Sequence, residues 1–371
     1  MDLVKLGLSS HLPVDLIEGY ETCIWTERYW DAGEVQIITG DVQKFLNQVP
    51  IGCLLSHRET DEVMIVEDIL IKTDNAHEGD GIVKLTITGQ SFEAFLRHRV
   101  AAVDLDTLPN PWQLTDDNSG MVARWIINRA LEGGTISPHD VVPLVDTIQD
   151  PAVTTEDEGE PVEYDIQLSQ TYERVLEILK TVGLGLRTQR PLYSGGPLNV
   201  QVYRGKDRRA SQSVNTPVVL RSDLGHFTEM SYLISERDYK NVAYVYSPIG
   251  SREVLRWSLD PDTSGLDRKV LYVDASDLTE VSPGNTAYNL LLKRGRQAMM
   301  EHNRTFIFEG KVSPEIPYKY KVDYDLGDQI TILGEYGLQT DMIVTEYILS
   351  EGPDGEVGYP TLSPPPKPED V

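Results

Sequence analysis

Apolar and polar positions change places every second residue across much of the first hundred residues. In "GIVKLTITG", Val83, Leu85 and Ile87 share one face and Lys84, Thr86 and Thr88 the other, the two-residue period of a half-buried strand. "ETCIWTERYW" and "EVQIITG" have the same character, and Asp31-Ala32-Gly33 between them predicts a hairpin turn. "GCLLSHRETDEVMIVEDILIKTD" adds two strands around Glu59-Thr60-Asp61. Gly89 is expected to end the alternating run. "SFEAFLRHRV" then reads as a short helix, with Ser91 as N-cap and Phe92, Phe95 and Leu96 on one face. Five or six short strands under one helix predict a small barrel or sandwich over residues 1–105.

The pattern then changes period. After the proline- and aspartate-rich "DLDTLPNPWQLTDDNSG", a candidate domain boundary, apolar Val122, Trp125, Ile126 and Ala130 recur at helical spacing, and Gly133-Gly134 stop the helix. "TTEDEGEPVEYD" reads as an acidic loop. A second helix is predicted from Ser169, burying Tyr172, Val175, Leu176 and Leu179 and ending at Gly183. "GLGLRTQ" and "LNVQVYRGKDRR" predict a hairpin across Ser194-Gly195-Gly196, so residues 106–216 form a small α+β domain.

From about residue 217 strands return in "PVVLRS", "MSYLISERDYKNVAYVYS", "EVLRWSLD" and "RKVLYVDAS". A helix at 285–302 has Asn285 as N-cap and apolar Leu290, Leu291, Ala298 and Met299. "RTFIFEGKV", "YKYKVDYDLGDQITIL" and "MIVTEYILSE" complete the β-structure. The proline-rich end, residues 353–371, is expected to be extended and poorly packed. The fold class is therefore α+β and predominantly β. No short fixed repeat is visible, but the coarse pattern of strands, helix and strands occurs twice.

Composition narrows the class. The 371 residues suffice for two to four domains, and 40% hydrophobic with 25% charged residues is ordinary for globular protein. No apolar run reaches the roughly 18 residues that span a bilayer. The N-terminal "MDLVKLGLSSHLPVDLIEGYE" lacks the apolar core of a secretory signal, so synthesis and folding in a cytosol are expected. Cys23 and Cys53 are too few for a zinc site and are expected as buried free thiols rather than a disulfide. The net charge is −26 with a pI near 4.6. A field of that sign repels phosphate backbones and anionic lipid, which argues against nucleic-acid binding by attraction.

The densest chemical signal is Asp323, Asp325 and Asp328 within "YKVDYDLGDQITIL". A calcium loop counted from Asp323 puts glycine at its fifth position and Gly334 at its twelfth, so the pattern fails. "DPDTSG" at 260–265 fits better through Asp260, Asp262, Ser264 and Gly265, but its twelfth position is Leu271, and a tight turn explains it equally well. There is no Gly-x-Ser-x-Gly elbow and no His-Glu-x-x-His. His11 follows Ser9-Ser10 in a segment expected to be too exposed to hold a triad, and His57, His98 and His302 each neighbour an Arg or Glu, as surface histidines do. Gly205-Lys206 lacks the earlier glycine of a phosphate loop, where Val200 stands, and Asp207 replaces its Ser or Thr. "GLGLRTQ" supplies Gly183 and Gly185 without a third glycine. Paired carboxylates for glycoside cleavage carry no weight among 59 acidic residues. The residues carry no enzyme signature, and no cofactor or metal is expected. Arg204, Lys206, Arg208 and Arg209 form one basic island, read either as a contact for an acidic partner or as an exposed hairpin tip.

Four segments resemble the hub proteins at the tail tip, or baseplate, of long-tailed (siphophage-type) bacteriophages. They are "LTITGQSFEAFLRHRV", "NVAYVYSPIGSREV", "NLLLKRGRQAMMEHN" and "YKVDYDLGDQITI". The residues that carry the likeness are Gly89, Phe92 and Leu96 in the first, and Tyr324, Asp325, Gly327 and Asp328 in the last. The resemblance spans about residues 20 to 350 and implies a virion structural protein made in the host cytoplasm, a homotrimer without catalytic activity. Each chain would carry two tube-type barrels, each with a covering helix: residues 1–105, and residues 217–250 with 303–352. Residues 251–302 would be an insertion. Three chains would then present six barrels to a sixfold tail tube and threefold symmetry below it. The implied partners are further copies of the chain, the distal tail protein or tube end, the tape measure protein, and other tail-tip or receptor-binding proteins. DNA would pass through the channel without specific binding, and the motif carboxylates would serve a turn into a barrel strand. Relatives that continue into a lysin region differ from this chain, so wall degradation is not implied. The alternatives are a tail-tip carbohydrate adhesin or a peptidoglycan or glycoside hydrolase.

Overall fold

The hairpin predicted around Asp31-Ala32-Gly33 pairs Thr22–Arg28 with Glu34–Thr39, Thr22 opposite Ile38 and Thr26 opposite Glu34. A computed structural model describes residues 1–58, 60–73, 83–101, 112–117, 119–131, 142, 145–149, 162–166, 169–191, 195–255, 264–279, 287–300, 302 and 305–365. Within them the hairpin is the middle of a twelve-stranded sheet. Glu34–Thr39 pairs with Val83–Ser91, which pairs in turn with Met64–Thr73. Leu54–His57, Leu3–Leu6 and the edge strand Pro13–Leu16 follow. The period-two reading sets the core. Trp25, Val35, Ile37, Leu85 and Ile87 are fully buried, packed with Leu3, Ile17, Phe45 and Leu55.

Two local expectations need correction. Gly89 does not end its strand, which runs on to Ser91. It lies inside the strand beside a bulge between Val66 and Asp68, where a Cβ would run into the Ile65 carbonyl. Ser91 does not cap the following helix with its side chain. Its hydroxyl instead accepts from the Gly33 N–H at 2.8 Å, and Phe92–His98 coils as a 3₁₀ segment.

The C-terminal strands are also placed differently from expectation. Gln339–Gly352 pairs directly with Thr22–Arg28, Glu346 opposite Arg28 and Glu351 opposite Cys23. The strands assigned to a second barrel are thus hydrogen-bonded to those of the first. Gln329–Leu333 pairs with the start of Gln339–Gly352 and takes Asp207–Arg208 and Val219–Arg221 as parallel neighbours. Residues 355–363 of the expected loose tail form a strand against Ile343–Gly352, with Pro360 and Leu362 buried. A proline is tolerated there because, among the described residues, the strand has a partner on one side alone and its missing N–H faces away from that partner.

The expected boundary near residue 105 is not a boundary in packing. Phe92 and Leu96 share one core with the helices Ser119–Leu131 and Thr171–Thr181, through Val122, Ile126, Tyr172 and Val175. The predicted hairpin pairs Gly185–Gln189 with Leu198–Tyr203, and Val145–Gln149 adds a parallel third strand.

Two compact units result: residues 1–229 with 310–371, and residues 230–309. In the second, Val242–Ser247 is the central strand between Gly250–Leu255 and Val270–Asp274. It belongs with the expected insertion, not with a second barrel. The helix Ala287–Met300 covers one face of this sheet through Leu291 and Met299. Gly295 permits the close approach, since a Cβ there would press into Val245 and Val254.

Candidate functional site

The turn from Tyr324 to Asp328 enters the strand Gln329–Leu333, and its geometry answers what the three aspartates do. Gly327 has φ +83, and its N–H donates to the Val344 carbonyl at 2.8 Å. Asp328 is 1% exposed. Its Oδ1 accepts from the Lys206 N–H at 2.6 Å, and its Oδ2 accepts from Arg208 Nε at 2.6 Å and from the Asp325 N–H at 3.0 Å. Burial pushes the Asp328 carboxyl up, and these three donors pull against that shift. Asp325 reaches Lys321 Nζ at 2.9 Å, and Asp323 accepts from the Lys319 N–H at 2.8 Å. The carboxylates tie backbone to backbone and to cations.

Much of the basic island is spent on the same ties. Arg208 holds Asp328, Arg209 holds Asp207, and Arg204 donates to the Val182 carbonyl at 3.1 Å. Of the four, Lys206 alone is classed as exposed. The near-miss phosphate-loop glycines have a packing role. Tyr29 is fully buried, and side chains at Gly185 or Gly327 would overlap its ring. Its hydroxyl donates to the Gly183 carbonyl at 2.9 Å and accepts from the Gly205 N–H at 3.3 Å. Gly205 and Gly327 lie backbone against backbone with no room for a Cβ at 205.

Beside this turn lies a buried charge nest that sequence reading missed. Lys321, at φ +62, places Nζ 3.3 Å from Glu27, 3.5 Å from Glu62 and 2.9 Å from Asp325. Glu27 also accepts from the Trp25 indole N–H at 3.1 Å and from the Tyr320 hydroxyl at 2.6 Å. One ammonium cannot balance three carboxylates. Burial resists ionisation of Glu27, but Lys321 and the Tyr320 hydroxyl outweigh it and hold its carboxyl low. Glu62 is the most distant of the three from Nζ. Burial pushes it up, and repulsion from Glu27 adds to the push, so it keeps its proton. Burial likewise holds His57 neutral, its pKa lowered to about 4.

The nest is also where the first and the last of the four resembling segments approach each other. Glu93, between Phe92 and Leu96, adds to the repulsion on Glu62, while Lys321 precedes Tyr324 in the other segment. Phe92 and Leu96 themselves face the adjoining core, and Tyr324 is buried beside Tyr320. Two carboxyls with opposed shifts can signal an acid–base pair, but Glu27 and Glu62 are 3% and 5% exposed with Lys321 wedged between them. Both are enclosed in the fold rather than set on an open surface.

Among the described residues no group of three or more His, Cys, Asp or Glu is arranged to hold a metal ion. The candidate calcium loop at 260–265 has both its aspartates outside the described residues. Cys23 and Cys53 are buried free thiols.

A family model described as Siphovirus ReqiPepy6 Gp37-like protein matches residues 13–360. No curated protein matches the chain. Among solved structures, the 43 kDa tail protein of prophage MuSo2 from Shewanella oneidensis superposes with a TM-score of 0.60 at 15% identity, covering 98% of this chain and 97% of that one. The prophage tail protein gp18 from Listeria monocytogenes EGD-e gives a TM-score of 0.53 at 10% identity, covering 97% and 94%. A tail protein from Neisseria meningitidis MC58 gives a TM-score of 0.52 at 13% identity, covering 98% and 95%. At these identities the likeness is one of fold.

Proposed function

This chain belongs to the Siphovirus ReqiPepy6 Gp37-like family, and from that premise we propose that it is a structural component of a phage tail and, within the tail, the hub of the tip. Three copies would form a ring that caps the tail tube, converts sixfold to threefold symmetry and surrounds the path of the ejected DNA. The observation that carries the reading is the end-to-end fold likeness to the Shewanella prophage tail protein, 98% of this chain on 97% of that one.

Two features of the chain support it. The turn at Gly327 and Asp328 and the nest around Lys321 are built for rigidity, with hydrogen-bonded charges where an enzyme would need an open cleft. Among the described residues the edge strand Pro13–Leu16 has no sheet partner on its outer side, and it exposes Val14 and Leu16, as a strand completed by a neighbouring subunit would. In this reading the neighbours are further copies, the tube end or distal tail protein, the tape measure protein and the receptor-binding proteins. The chain performs no catalysis.

The test is a cryo-EM reconstruction of the tail tip of the particle that encodes the chain. Three copies in a pseudo-sixfold ring beneath the tube are expected. Finding the chain on a peripheral fibre, or missing from the particle, would sink the hub.

A further inference from the structure

The open face of the three-stranded sheet in residues 230–309 carries surface chemistry that the hub role does not use. The sheet's inward positions, Ala243, Val245, Val254 and Val273, pack on the helix side. Facing outward are Tyr244, Tyr246 and Tyr272, which are 44%, 57% and 66% exposed. Tyr244 and Tyr272 are direct neighbours across the parallel pair, and Tyr246 follows Tyr244 at the two-residue repeat. Strand spacings of about 4.8 Å across and about 6.6 Å along make the three rings one continuous patch.

The patch is ordered. The Arg268 guanidinium lies 5.9 Å from the Tyr244 ring centroid, donates to the Tyr244 hydroxyl at 3.2 Å and pairs with Glu253 at 2.8 Å. Exposed carboxylates flank the rings, Glu253 opposite Tyr244 and Asp274 opposite Tyr246.

Two observations select the occupant. The large exposed side chains on this face are aromatic rings with carboxylates beside them, while the aliphatic residues that share the face by register, Val242, Leu255 and Val270, are buried or half-buried at its end. A sugar ring offers the matching chemistry, a flat face of C–H groups to lie on an aromatic ring and a rim of hydroxyls to donate to carboxylates. The charge balance excludes a strong pull on an ion. Residues 230–309 hold ten Lys and Arg against eleven Asp and Glu, a net −1 of the chain's −26.

We propose that this tyrosine face binds an uncharged polysaccharide, with sugar rings stacked on Tyr244, Tyr246 and Tyr272 and hydroxyls donating to Glu253 and Asp274. The inference does not rest on the position of the chain in the tail.

Affinity electrophoresis of the full chain in native gels cast with galactan, mannan or dextran tests it. Retardation is expected in at least one gel. The Tyr246→Ala/Tyr272→Ala variant should bind roughly tenfold more weakly or worse. Tyr288→Ala, an exposed tyrosine on the helix, should leave retardation unchanged. Circular dichroism of each variant checks that the fold is intact, since the substituted rings are exposed. No retardation in any of the three gels, or equal retardation of the double variant, overturns the proposal. Light scattering of the wild type and double variant, run alongside, separates the competing occupant. A lower mass for the variant would mark the face as a contact between copies and overturn the proposal too.

Discussion

Replacing Asp328 by alanine tests whether the motif carboxylate is a structural tie. The change removes three hydrogen bonds at once, from the Lys206 N–H, the Asp325 N–H and Arg208 Nε. The two backbone donors are left with their acceptor gone, and a buried donor without a partner costs about 1–3 kcal/mol. Arg208 suffers less, because its Nη1 already reaches the Thr216 carbonyl at 3.4 Å and its head can turn to water. The sum is about 3–5 kcal/mol, the range for breaking one side of a buried ion pair. For a unit of this size that lowers Tm by about 10 °C. Asp328→Asn keeps one acceptor but turns an amide donor toward Arg208 or a backbone N–H, so about half the loss is expected. Thermal unfolding followed by near-UV circular dichroism supplies the number, and an Arg208→Ala cycle isolates the pair. A Tm change of less than about 2 °C for Asp328→Ala would mean that the contacts carry no stability, and the structural reading of the motif would fail.

Three further outcomes follow from the same geometry. Glu62 keeps its proton in the fold up to about pH 8, above its unfolded range, so the stability it contributes is complete below the ordinary carboxylate range and is lost as pH rises toward 8. Glu62→Gln should therefore flatten urea-derived stability between pH 5 and 8, removing a slope of at most about 1.4 kcal/mol per pH unit; parallel curves for both proteins would refute the assignment. Gly205→Ala should abolish soluble expression or lower Tm by more than about 10 °C, because the new Cβ meets the Gly327 backbone; a normal melt would show that the two loops can part. Both thiols should react with a disulfide reagent after denaturation and very slowly before it, burial having pushed Cys23 up to about 12 and Cys53 up as well; rapid native labelling of either would contradict their packing.

What the sequence revealed and what it hid divide along physical lines. Strand alternation around Ile37 and Ile87, and the helical spacing of Val122, Ile126, Val175 and Leu179, were legible because local periodicity reports which face is buried. The left-handed turn at Gly327 was legible because few residues other than glycine adopt it. The helix Val42–Gln48 went unread, although Asp41 caps it by accepting from the Lys44 N–H at 3.3 Å and Phe45 anchors it. Pairing of Thr22–Arg28 with Glu346–Glu351 was invisible because alternation names a strand and not its partner far along the chain. The nest was hidden for a different reason. Glu27, Glu62 and Lys321 have the composition of surface residues, and burial as a neutralised group is a property of the assembled fold. Arg208 misled likewise, since its one-dimensional neighbours are basic while its partner in space is Asp328.

The distribution of charge bears on which part of the molecule could meet DNA. The unit 230–309 is almost balanced at −1, so an excess of −25 falls on residues 1–229 and 310–371. Three buried carboxyls of that unit are neutralised where they stand, Asp328 by Arg208, Glu27 by Lys321, and Glu62 by its own proton. An unbalanced negative charge of that size costs stability through mutual repulsion and yields a long-range negative field. Such a field lowers the residence of a phosphate backbone at every point it passes. In the proposed hub, a genome sliding past residues 1–229 and 310–371 would be held off by that field rather than retained.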